Sequence, residues 1–260
     1  MRKKRVFLGK ENRKKMSRII AVANHKGGVG KTTTTLNLGK ALSLRQKKVL
    51  IIDIDPQANL SQSVGLENLE TSIYDALCEN KELPILSLDS FLDIVPADLS
   101  LSAAENKLAN NINGYFKLKT ALEKHQNSYE IIWIDCPPSL GILTMNAFIT
   151  AQEVLLVVQS QYLSMKGLET ILSLIDELKK NINPILRISG LLVTQINRTL
   201  VTKIVAESLQ NTYQSKVYQT LIRENTALRE ASMMKKDIFS YNPKSLGAAD
   251  YMNFSKEIMP

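Results

Sequence analysis

The sequence predicts an α/β fold in which a mostly parallel, twisted β-sheet carries helices on both faces. From Arg18 onward, short apolar runs alternate with longer amphipathic stretches, the pattern of repeated β-α units. Runs such as Ile-Ile-Trp-Ile at 131–134 are apolar without alternation, as expected for a strand that is buried on both faces. With 260 residues, 44% of them hydrophobic, the chain is long enough to bury a large core.

Each predicted strand is an apolar run of strand length, and each predicted helix is a longer stretch with apolar residues at helical spacing. The predicted strands lie near residues 18–24, 48–54, 91–95, 130–135, 153–159, 186–196 and 216–222. The predicted helices span residues 31–45, 101–110, 115–125, 141–151, 164–180, 201–213 and 245–258. No internal repeat or low-complexity linker interrupts this series, so we predict one domain over residues 16–260.

The net charge of +8 is unevenly distributed along the chain. Residues 1–18 carry nine Lys/Arg and one Glu, residues 19–178 carry 12 basic and 18 acidic side chains, and residues 179–260 carry 12 basic and 6 acidic. The basic amino terminus and the basic last third are both typical of regions that bind a polyanion such as nucleic acid. Neutralising its phosphates releases counterions, and this drives binding that does not depend on sequence. A solvated surface that keeps the protein in solution is the alternative explanation.

The first 15 residues are strongly basic and have few apolar positions, so we predict a disordered arm over residues 1–15. Because Met16 opens the first predicted strand, the arm is either an upstream extension of a start at Met16 or a basic tail. It lacks the apolar stretch of a secretory signal, and no run approaches the roughly 20 apolar residues of a membrane helix. The two cysteines, Cys78 and Cys136, have no metal-ligand spacing. These features predict a soluble, cytoplasmic protein.

The strongest motif lies between the first predicted strand and the first predicted helix and reads Asn-His-Lys-Gly-Gly-Val-Gly-Lys-Thr-Thr, at 24–33. Glycines let backbone N–H groups turn inward around phosphate oxygens, and the following helix contributes its positive N-terminus. Lys31 is predicted to reach the β and γ phosphates of ATP, and the Thr32 hydroxyl to ligate Mg²⁺. The motif predicts the P-loop NTPase class of α/β fold. The predicted nucleotide-binding residues are Lys26, Gly27, Gly28, Val29, Gly30, Lys31, Thr32 and Thr33.

One feature departs from the ordinary P-loop. His25 stands where the first glycine is usual, and a second lysine, Lys26, opens the loop, which is the deviant Walker A pattern. A lysine there points away from its own nucleotide, so we expect Lys26 to cross a dimer interface and contact the partner's phosphates. It would then offset charge in the transition state as an arginine finger does. A solvated loop lysine is the alternative.

Two further apolar strands deliver carboxylates to the same edge of the predicted sheet, the edge where open α/β sheets bind ligands. Asp53 and Asp55 end the strand near 48–54, and alternation places both on one side of its end. We predict that Asp53 supports the Mg²⁺ shell and that Asp55 orients the attacking water; the alternative is that one of them caps a helix. Asp135 ends the strand near 130–135 as a Walker B carboxylate and is predicted to hold Mg²⁺ through water.

Together these motifs resemble the ParA/MinD group of P-loop ATPases, and the resemblance extends from residue 18 to residue 258. The segments Asp-Ile-Asp-Pro-Gln-Ala-Asn at 53–59 and Asp-Cys-Pro-Pro-Ser-Leu-Gly at 135–141 are similar to the ParA branch. So are Ile-Arg-Glu-Asn at 222–225, Leu-Arg-Glu-Ala at 228–231 and Tyr-Asn-Pro-Lys-Ser at 241–245. The chain departs from the family at His25, where glutamine is usual, and at Arg223-Glu224, where many members have Pro-Arg.

The resemblance implies a cytoplasmic, nucleoid-associated ATPase that uses ATP and Mg²⁺ and forms a homodimer face to face around two nucleotides. It also implies that the dimer binds DNA non-specifically and is released when a ParB-type centromere-binding protein stimulates hydrolysis, so that plasmid or chromosomal DNA is segregated. By the same resemblance Asn197 contacts adenine. Because family members place much of their DNA-binding surface in the C-terminal third, the predicted phosphate contacts are Lys203, Arg223, Arg229, Lys235 and Lys236.

Two rival functions remain open. The first is a ParA-like ATPase that positions a protein cargo of the flagellar, chemosensory or carboxysome type instead of a replicon. The second is a metabolic enzyme of the same superfamily, which is disfavoured because no second substrate motif is present. The sequence also shows no DNA-reading helix-turn-helix module before the P-loop and no amphipathic membrane helix after the last predicted helix, so we expect neither operon repression nor membrane binding.

Overall fold

The computed structural model describes residues 16–160 and 165–260, and the predicted basic arm lies outside this part of the chain. The strands of the described part are β1 (Arg18–Ala23), β2 (Val49–Asp53), β3 (Leu86–Ser87), β4 (Leu92–Val95), β5 (Ile131–Asp135), β6 (Glu153–Gln159) and β7 (Arg187–Thr194). Its α-helices are α1 (Lys31–Leu44), α2 (Asn59–Ser63), α3 (Ile73–Cys78), α4 (Leu101–Ala109), α5 (Lys117–Leu122), α6 (Ile142–Thr150), α7 (Met165–Asn181), α8 (Leu200–Tyr213), α9 (Thr226–Met233), α10 (Ile238–Tyr241) and α11 (Leu246–Ile258).

These strands form one sheet in the order β3-β4-β2-β5-β1-β6-β7. Every pairing between neighbours is parallel except that of the short edge strand β3 with β4. Because β5 lies between β2 and β1, its last residue, Asp135, is in register with Asp53 on one side and with Val22 on the other. The carboxyl ends of β1, β2 and β5 therefore meet at one edge, where the predicted site residues lie.

Helices cover both faces of the sheet, as the sequence predicts. On one face α1 and α11 pack with Trp133 of β5, and Leu38, Phe254 and Trp133 are fully buried there. On the other face α3 to α7 enclose a second apolar layer that includes Leu143 and Phe148. This architecture confirms the predicted α/β class. Within the described residues no helix combines the length and the apolar character that crossing a bilayer requires.

The predicted strand at 216–222 is wrong. Among the described residues this segment makes one isolated bridge with β7, Leu191 with Val217, and a second follows just beyond both segments, Ile196 with Arg223. The physical reason lies in α11, because the backbone N–H groups of Gln219 and Thr220 donate to the Glu257 carboxylate, at 2.7 and 2.9 Å. These two N–H groups thus bond to a helix side chain instead of to a neighbouring strand, so a regular ladder does not form.

The predicted helix at 115–125 is divided into α5 and two flanking 3₁₀ turns, Gly114–Phe116 and Glu123–His125. Asn146 of α6 causes the first break, because its amide donates to the Gly114 carbonyl at 2.8 Å and accepts from the Leu118 N–H at 3.1 Å. Elements too short for periodicity to indicate were not predicted, namely α2, α3, β3, α9 and α10.

Candidate active site

The phosphate-binding loop joins the end of β1 to the start of α1. Gly28 and Gly30 have φ of +74° and +96°, in the left-handed region that glycine adopts without steric cost. Gly30 caps α1 without any side-chain hydrogen bond, and the first helical bond runs from Thr34 N to Gly30 O. The N–H groups at 31–33 therefore have no partner within the helix, which leaves them available to an anion.

Lys31 projects into this loop from the first turn of α1. Only 6% of its surface is exposed, and its ammonium donates to the Lys26 carbonyl at 3.2 Å. Burial lowers the pKa of Lys31 below its ordinary value, while the negative charges of Asp135 and Asp55 act in the opposite direction. A bound polyphosphate would add negative charge at the ammonium and favour its protonated form.

Asp135 and Thr32 form the inner part of the site. Asp135 is fully buried and accepts a hydrogen bond from Thr32 Oγ1 at 2.7 Å and a longer one from Thr35 Oγ1 at 3.4 Å. Burial raises the pKa of Asp135, and repulsion from the adjacent Asp53 raises it further. A hydroxyl and a carboxylate at a phosphate site form the all-oxygen donor set that Mg²⁺ prefers, so these residues fit the ion.

Asp53 is also fully buried, and both of its carboxylate oxygens accept hydrogen bonds from the protein. Its Oδ2 accepts from the backbone N–H and the hydroxyl of Ser61, at 3.0 and 2.8 Å, and its Oδ1 accepts from Asp55 N at 3.1 Å. Burial raises the pKa of Asp53, and these hydrogen bonds oppose that effect. The described contacts of Asp53 are those of a residue that holds the loop after β2, next to Asp135.

The P-loop opens into a cavity of about 670 Å³. Asp55, only 6% exposed, lines this cavity together with Gly27, Gly28, Gly30, Lys31, Thr32 and Thr33. Its Oδ1 accepts from Gln57 N at 2.9 Å. The predicted water-orienting carboxylate and the phosphate loop therefore share one cavity.

Lys26 differs from Lys31 although both belong to the same sequence motif. It is exposed, and its ammonium lies 3.4 Å from the Oε1 atom of Gln159 at the end of β6. It is not among the residues that line the cavity. Its side chain therefore lies outside the phosphate site of its own subunit.

The side chain of Asn197, the predicted adenine contact, is hydrogen-bonded to two neighbouring residues. Its side chain donates to Glu224 Oε2 at 3.3 Å and accepts from the N–H and hydroxyl of Thr199. A second cavity, of about 510 Å³, adjoins the P-loop without contacting Asn197. It is lined by Gly30, Thr33, Thr194, Gln195, Ile222, Arg223, Glu224, Asn225, Leu228, Arg229, Ser232, Met233 and Tyr251.

Most of the predicted DNA contacts have acidic partners. Arg223 binds Asp250 through two guanidinium nitrogens, Arg229 is 3.1 Å from Glu224, and Lys235 is 2.8 Å from Glu67. Lys236 is exposed and makes no ion pair among the described residues. Three of these cations, Arg229, Lys235 and Lys236, line the first cavity together with residues of the P-loop. The side chain of Lys203 lies outside the described part of the chain.

Three further residues of the site were not predicted from the sequence. Ser61 holds Asp53, Glu224 contacts Asn197 and Arg229, and Gln195 lines both cavities. Gln195 follows β7 at the carboxyl edge of the sheet, and that position was the one signal that favoured it. Ser61 and Glu224 become neighbours of the site only through folding.

Comparisons with known proteins agree with this geometry. A family described as an AAA domain matches residues 17–188. The sporulation initiation inhibitor protein Soj of Bacillus subtilis is 40% identical over 249 residues, which cover 94% of this chain and 98% of Soj. The chromosome partitioning protein ParA of Myxococcus xanthus is 36% identical, with 94% of this chain and 88% of that protein covered.

Among solved structures, the cobyrinic acid a,c-diamide synthase of Mycobacterium smegmatis, with bound ADP and magnesium, superposes with a TM-score of 0.82. It is 32% identical in sequence, and 93% of each chain is covered. A two-lysine P-loop and two carboxylates at one sheet edge thus occur together with extensive similarity to partition proteins and to a nucleotide-bound structure. The chain belongs to the ParA family of P-loop ATPases, and its cofactors are ATP and Mg²⁺.

Proposed function

We propose that this ATPase segregates plasmid or chromosomal DNA on the nucleoid by an ATP-gated cycle. Two subunits close face to face around two ATP molecules, and the closed dimer binds DNA without reading its sequence. A ParB-type centromere-binding partner then stimulates hydrolysis and releases the DNA. The observation that carries the proposal is that Arg229, Lys235 and Lys236 line the same cavity as the P-loop, so the nucleotide site and a cationic surface adjoin. The similarity to Soj and to ParA supports the same role.

Hydrolysis is assigned to residues that the sheet edge brings together. The N–H groups at 31–33 and the Lys31 ammonium bind the phosphates, and Thr32 and Asp135 hold Mg²⁺, with Asp53 supporting that shell from the next strand. When bound, Mg²⁺ neutralises charge on the β and γ phosphates. Asp55 lies on the cavity wall and orients the attacking water. Such a reaction depends on placement and charge stabilisation more than on a strong base.

Lys26 is assigned a role in the opposite subunit. It is exposed and lies outside its own cavity, where a second subunit that closes over the P-loop would meet it. There it would contact the partner's phosphates and offset the charge that develops during phosphoryl transfer. Dimer formation and turnover would then depend on the same side chain.

The DNA-binding surface is assigned to the basic side chains of the C-terminal third, namely Lys203, Arg223, Arg229, Lys235 and Lys236. Contacts from lysine and arginine to phosphates fix position without reading bases, so affinity should depend strongly on salt and weakly on sequence. The acidic partners of Arg223, Arg229 and Lys235 must yield to DNA phosphates for these residues to contribute.

A binding experiment on arbitrary duplex DNA tests the proposal. Electrophoretic mobility is measured with ATP, with ADP and without nucleotide, for the full chain and for a chain lacking residues 1–15. We expect a shift with ATP alone, at equal affinity for two unrelated duplexes, and its retention in the shortened chain. Equal binding in all three nucleotide conditions would overturn the gating. No binding in any of them would favour the rival in which the ATPase positions a protein cargo.

A further inference from the structure

Two glutamine side chains connect Lys26, at the start of the P-loop, to the Gly28 carbonyl within the same loop. Lys26 Nζ donates to Gln159 Oε1 at 3.4 Å, and Gln159 Nε2 donates to Gln195 Oε1 at 2.8 Å. Gln195 Nε2 then donates to the Gly28 carbonyl at 2.7 Å. We call this series, from Lys26 through Gln159 and Gln195 to Gly28, the amide relay. It joins the loop that follows β1 to the end of β6 and to the residue that follows β7, which are distant from one another in sequence.

The chemistry at both ends of the amide relay fixes the orientation of its two amides. A carbonyl oxygen only accepts hydrogen bonds, so Gln195 must turn its NH₂ group towards Gly28 and its oxygen towards Gln159. An ammonium group only donates, so Gln159 must turn its oxygen towards Lys26 and its NH₂ group towards Gln195. The two requirements agree, and flipping either amide would break two of the three hydrogen bonds.

The backbone at Gln195 indicates that this position is under a functional constraint. Its φ is +56°, in the left-handed region that side chains other than glycine rarely adopt, and such residues cluster at functional sites. Neighbouring groups hold it there, since Ser160 Oγ donates to the Gln195 carbonyl at 2.9 Å and Thr194 Oγ1 donates to the Val29 carbonyl at 2.7 Å. Two adjacent residues at the end of β7 thus bind two consecutive carbonyls of the P-loop.

This arrangement has a direct consequence for phosphate binding. A P-loop binds phosphate through inward N–H groups, so its carbonyls must point away from the anion. Gln195 and Thr194 satisfy the Gly28 and Val29 carbonyls from outside the loop and thereby favour that peptide orientation. We propose that Gln195 and Gln159 are positioning residues for nucleotide binding, which hold the P-loop carbonyls away from the phosphates and couple the loop to the location of Lys26. The inference rests on the ATP site of the proposed function but not on dimerisation or DNA.

Nucleotide affinity of the full chain tests the role of Gln195. ATP and ADP dissociation constants are measured by titration calorimetry for the wild type, Gln195→Gly and Gln195→Asn. Gly and Asn both tolerate the left-handed backbone, but Gly has no amide and the Asn amide is one methylene short of the Gly28 carbonyl. Each substitution should raise the dissociation constants of ATP and ADP about fivefold, as expected for the loss of one neutral hydrogen bond. KM for ATP should rise while kcat is retained, because ground state and transition state lose the same contact.

Two further measurements separate positioning from a general loss of structure. The melting temperature without nucleotide should stay within about 2 °C of the wild type, because Gln195 is only half-buried and does not belong to the apolar core. Gln159→Leu alone should weaken nucleotide binding about twofold, and adding it to Gln195→Gly should have no further effect, since the amide relay is already broken.

Dissociation constants within twofold of the wild type for both Gln195 variants would overturn the proposal. So would a melting temperature that falls in proportion to the lost affinity, or additive effects of Gln195→Gly and Gln159→Leu. Failure of the proposed function appears differently. A wild type that binds ATP normally but neither dimerises nor binds DNA would contradict the partition cycle and leave the test of the amide relay intact.

Discussion

Lys26 and Lys31 belong to the same sequence motif, yet their surroundings give them different chemistry. Lys31 is 6% exposed, lies near Asp135 and Asp55 and lines the cavity at the P-loop. Lys26 is exposed and contacts the end of β6. At the scale of single residues, the two-lysine loop therefore offers one cation for binding and one for a contact outside the cavity.

We predict that Lys26→Ala keeps ATP affinity within about threefold of the wild type, because the side chain lies outside its own cavity. ATP-dependent dimerisation, or turnover, should be lost, because the partner's phosphates no longer receive a cation. Light scattering with ATP and Mg²⁺ measures the dimer, and phosphate release measures turnover. Lys47→Ala is the matched control, since Lys47 pairs with Glu130 at the opposite end of β2. Normal dimers together with normal turnover in Lys26→Ala would refute the role in the partner subunit.

At the scale of elements, α1 packs so closely on the sheet that one of its residues has no room for a side chain. A Cβ atom at Gly39 would lie 2.9 Å from Ile51 Cγ2 of β2 and 3.3 Å from Leu92 Cδ1 of β4. Ile51 is fully buried and β-branched, so its methyl group cannot easily move away. The glycine thus sets the distance between the helix that carries the P-loop residues and the strand that carries Asp53.

Gly39→Ala should destabilise the protein by about 1 kcal/mol, although alanine is the better helix former. The gain in helix propensity is about 1 kcal/mol, whereas overpacking a core typically costs about 1–3 kcal/mol. Urea unfolding followed by the fluorescence of Trp133, the single tryptophan, measures the change. Adding Ile51→Leu, which removes the clashing methyl group, should recover part of the loss. A stabilised Gly39→Ala variant would show that the helix moves freely on the sheet.

At the amino edge of the sheet, a buried glutamate forms ion pairs with two arginines. Glu153 at the start of β6 accepts from Arg18 at 2.9 and 2.6 Å and from Arg187 at 2.7 Å, and Arg18 also donates to the Ile258 carbonyl at the end of α11. Burial by itself would raise the pKa of Glu153, but the two guanidinium groups outweigh it and hold the pKa below its ordinary value. This cluster links β1, β6, β7 and α11.

Glu153→Gln should lower the free energy of unfolding at pH 7 by roughly 2 kcal/mol. This is less than the cost of breaking a fully buried ion pair, because both arginines are partly exposed. Because the folded pKa is depressed, the contribution of Glu153 is complete above its unfolded pKa, near 4.5, and is lost as the pH falls through the folded pKa. The difference between variant and wild type should therefore shrink on acidification, as unfolding at several pH values would reveal. Arg187→Gln, at an exposed position, should cost less than about 1 kcal/mol. A difference independent of pH would contradict this account.

At the scale of the whole molecule, the basic last third carries less free positive charge than its composition indicates. Arg223, Arg229 and Lys235 are each paired with a carboxylate, and two of the three acids, Glu224 and Asp250, lie in the same third of the chain. Lys236 has no such partner within the described residues. Among the described candidates, a contact from Lys236 to a DNA phosphate would therefore break the fewest ion pairs.

Lys236→Ala should weaken DNA binding of the ATP state and reduce its salt dependence. Each lost phosphate contact lowers the slope of log affinity against log salt by about 0.9. Titrations at several salt concentrations, on two unrelated duplexes, measure the slope and show whether the loss is independent of sequence. Lys124→Ala is the control, because Lys124 pairs with Glu82 on the opposite face of the sheet. An unchanged slope in Lys236→Ala would remove this residue from the DNA surface.

The sequence alone determined the α/β class, the central strands and the place of the phosphate site. These features are encoded locally, because a strand buried on both faces is a contiguous apolar run and a P-loop is a contiguous motif between a strand and a helix. Parallel strands present their carboxyl ends at one edge, so Asp53, Asp55 and Asp135 could be assigned to the edge that carries Lys31. The structure places them there.

Only the tertiary structure decided which groups satisfy one another across long distances in the chain. Glu257 of α11 prevents a regular strand at 216–222, Asn146 of α6 divides the predicted helix at 115–125, and Asp250 forms an ion pair with Arg223. The amide relay likewise joins Gly28 to Gln159 and Gln195. No local pattern reports such contacts, because each depends on the positions of two segments that become neighbours only when the sheet and its helices have packed.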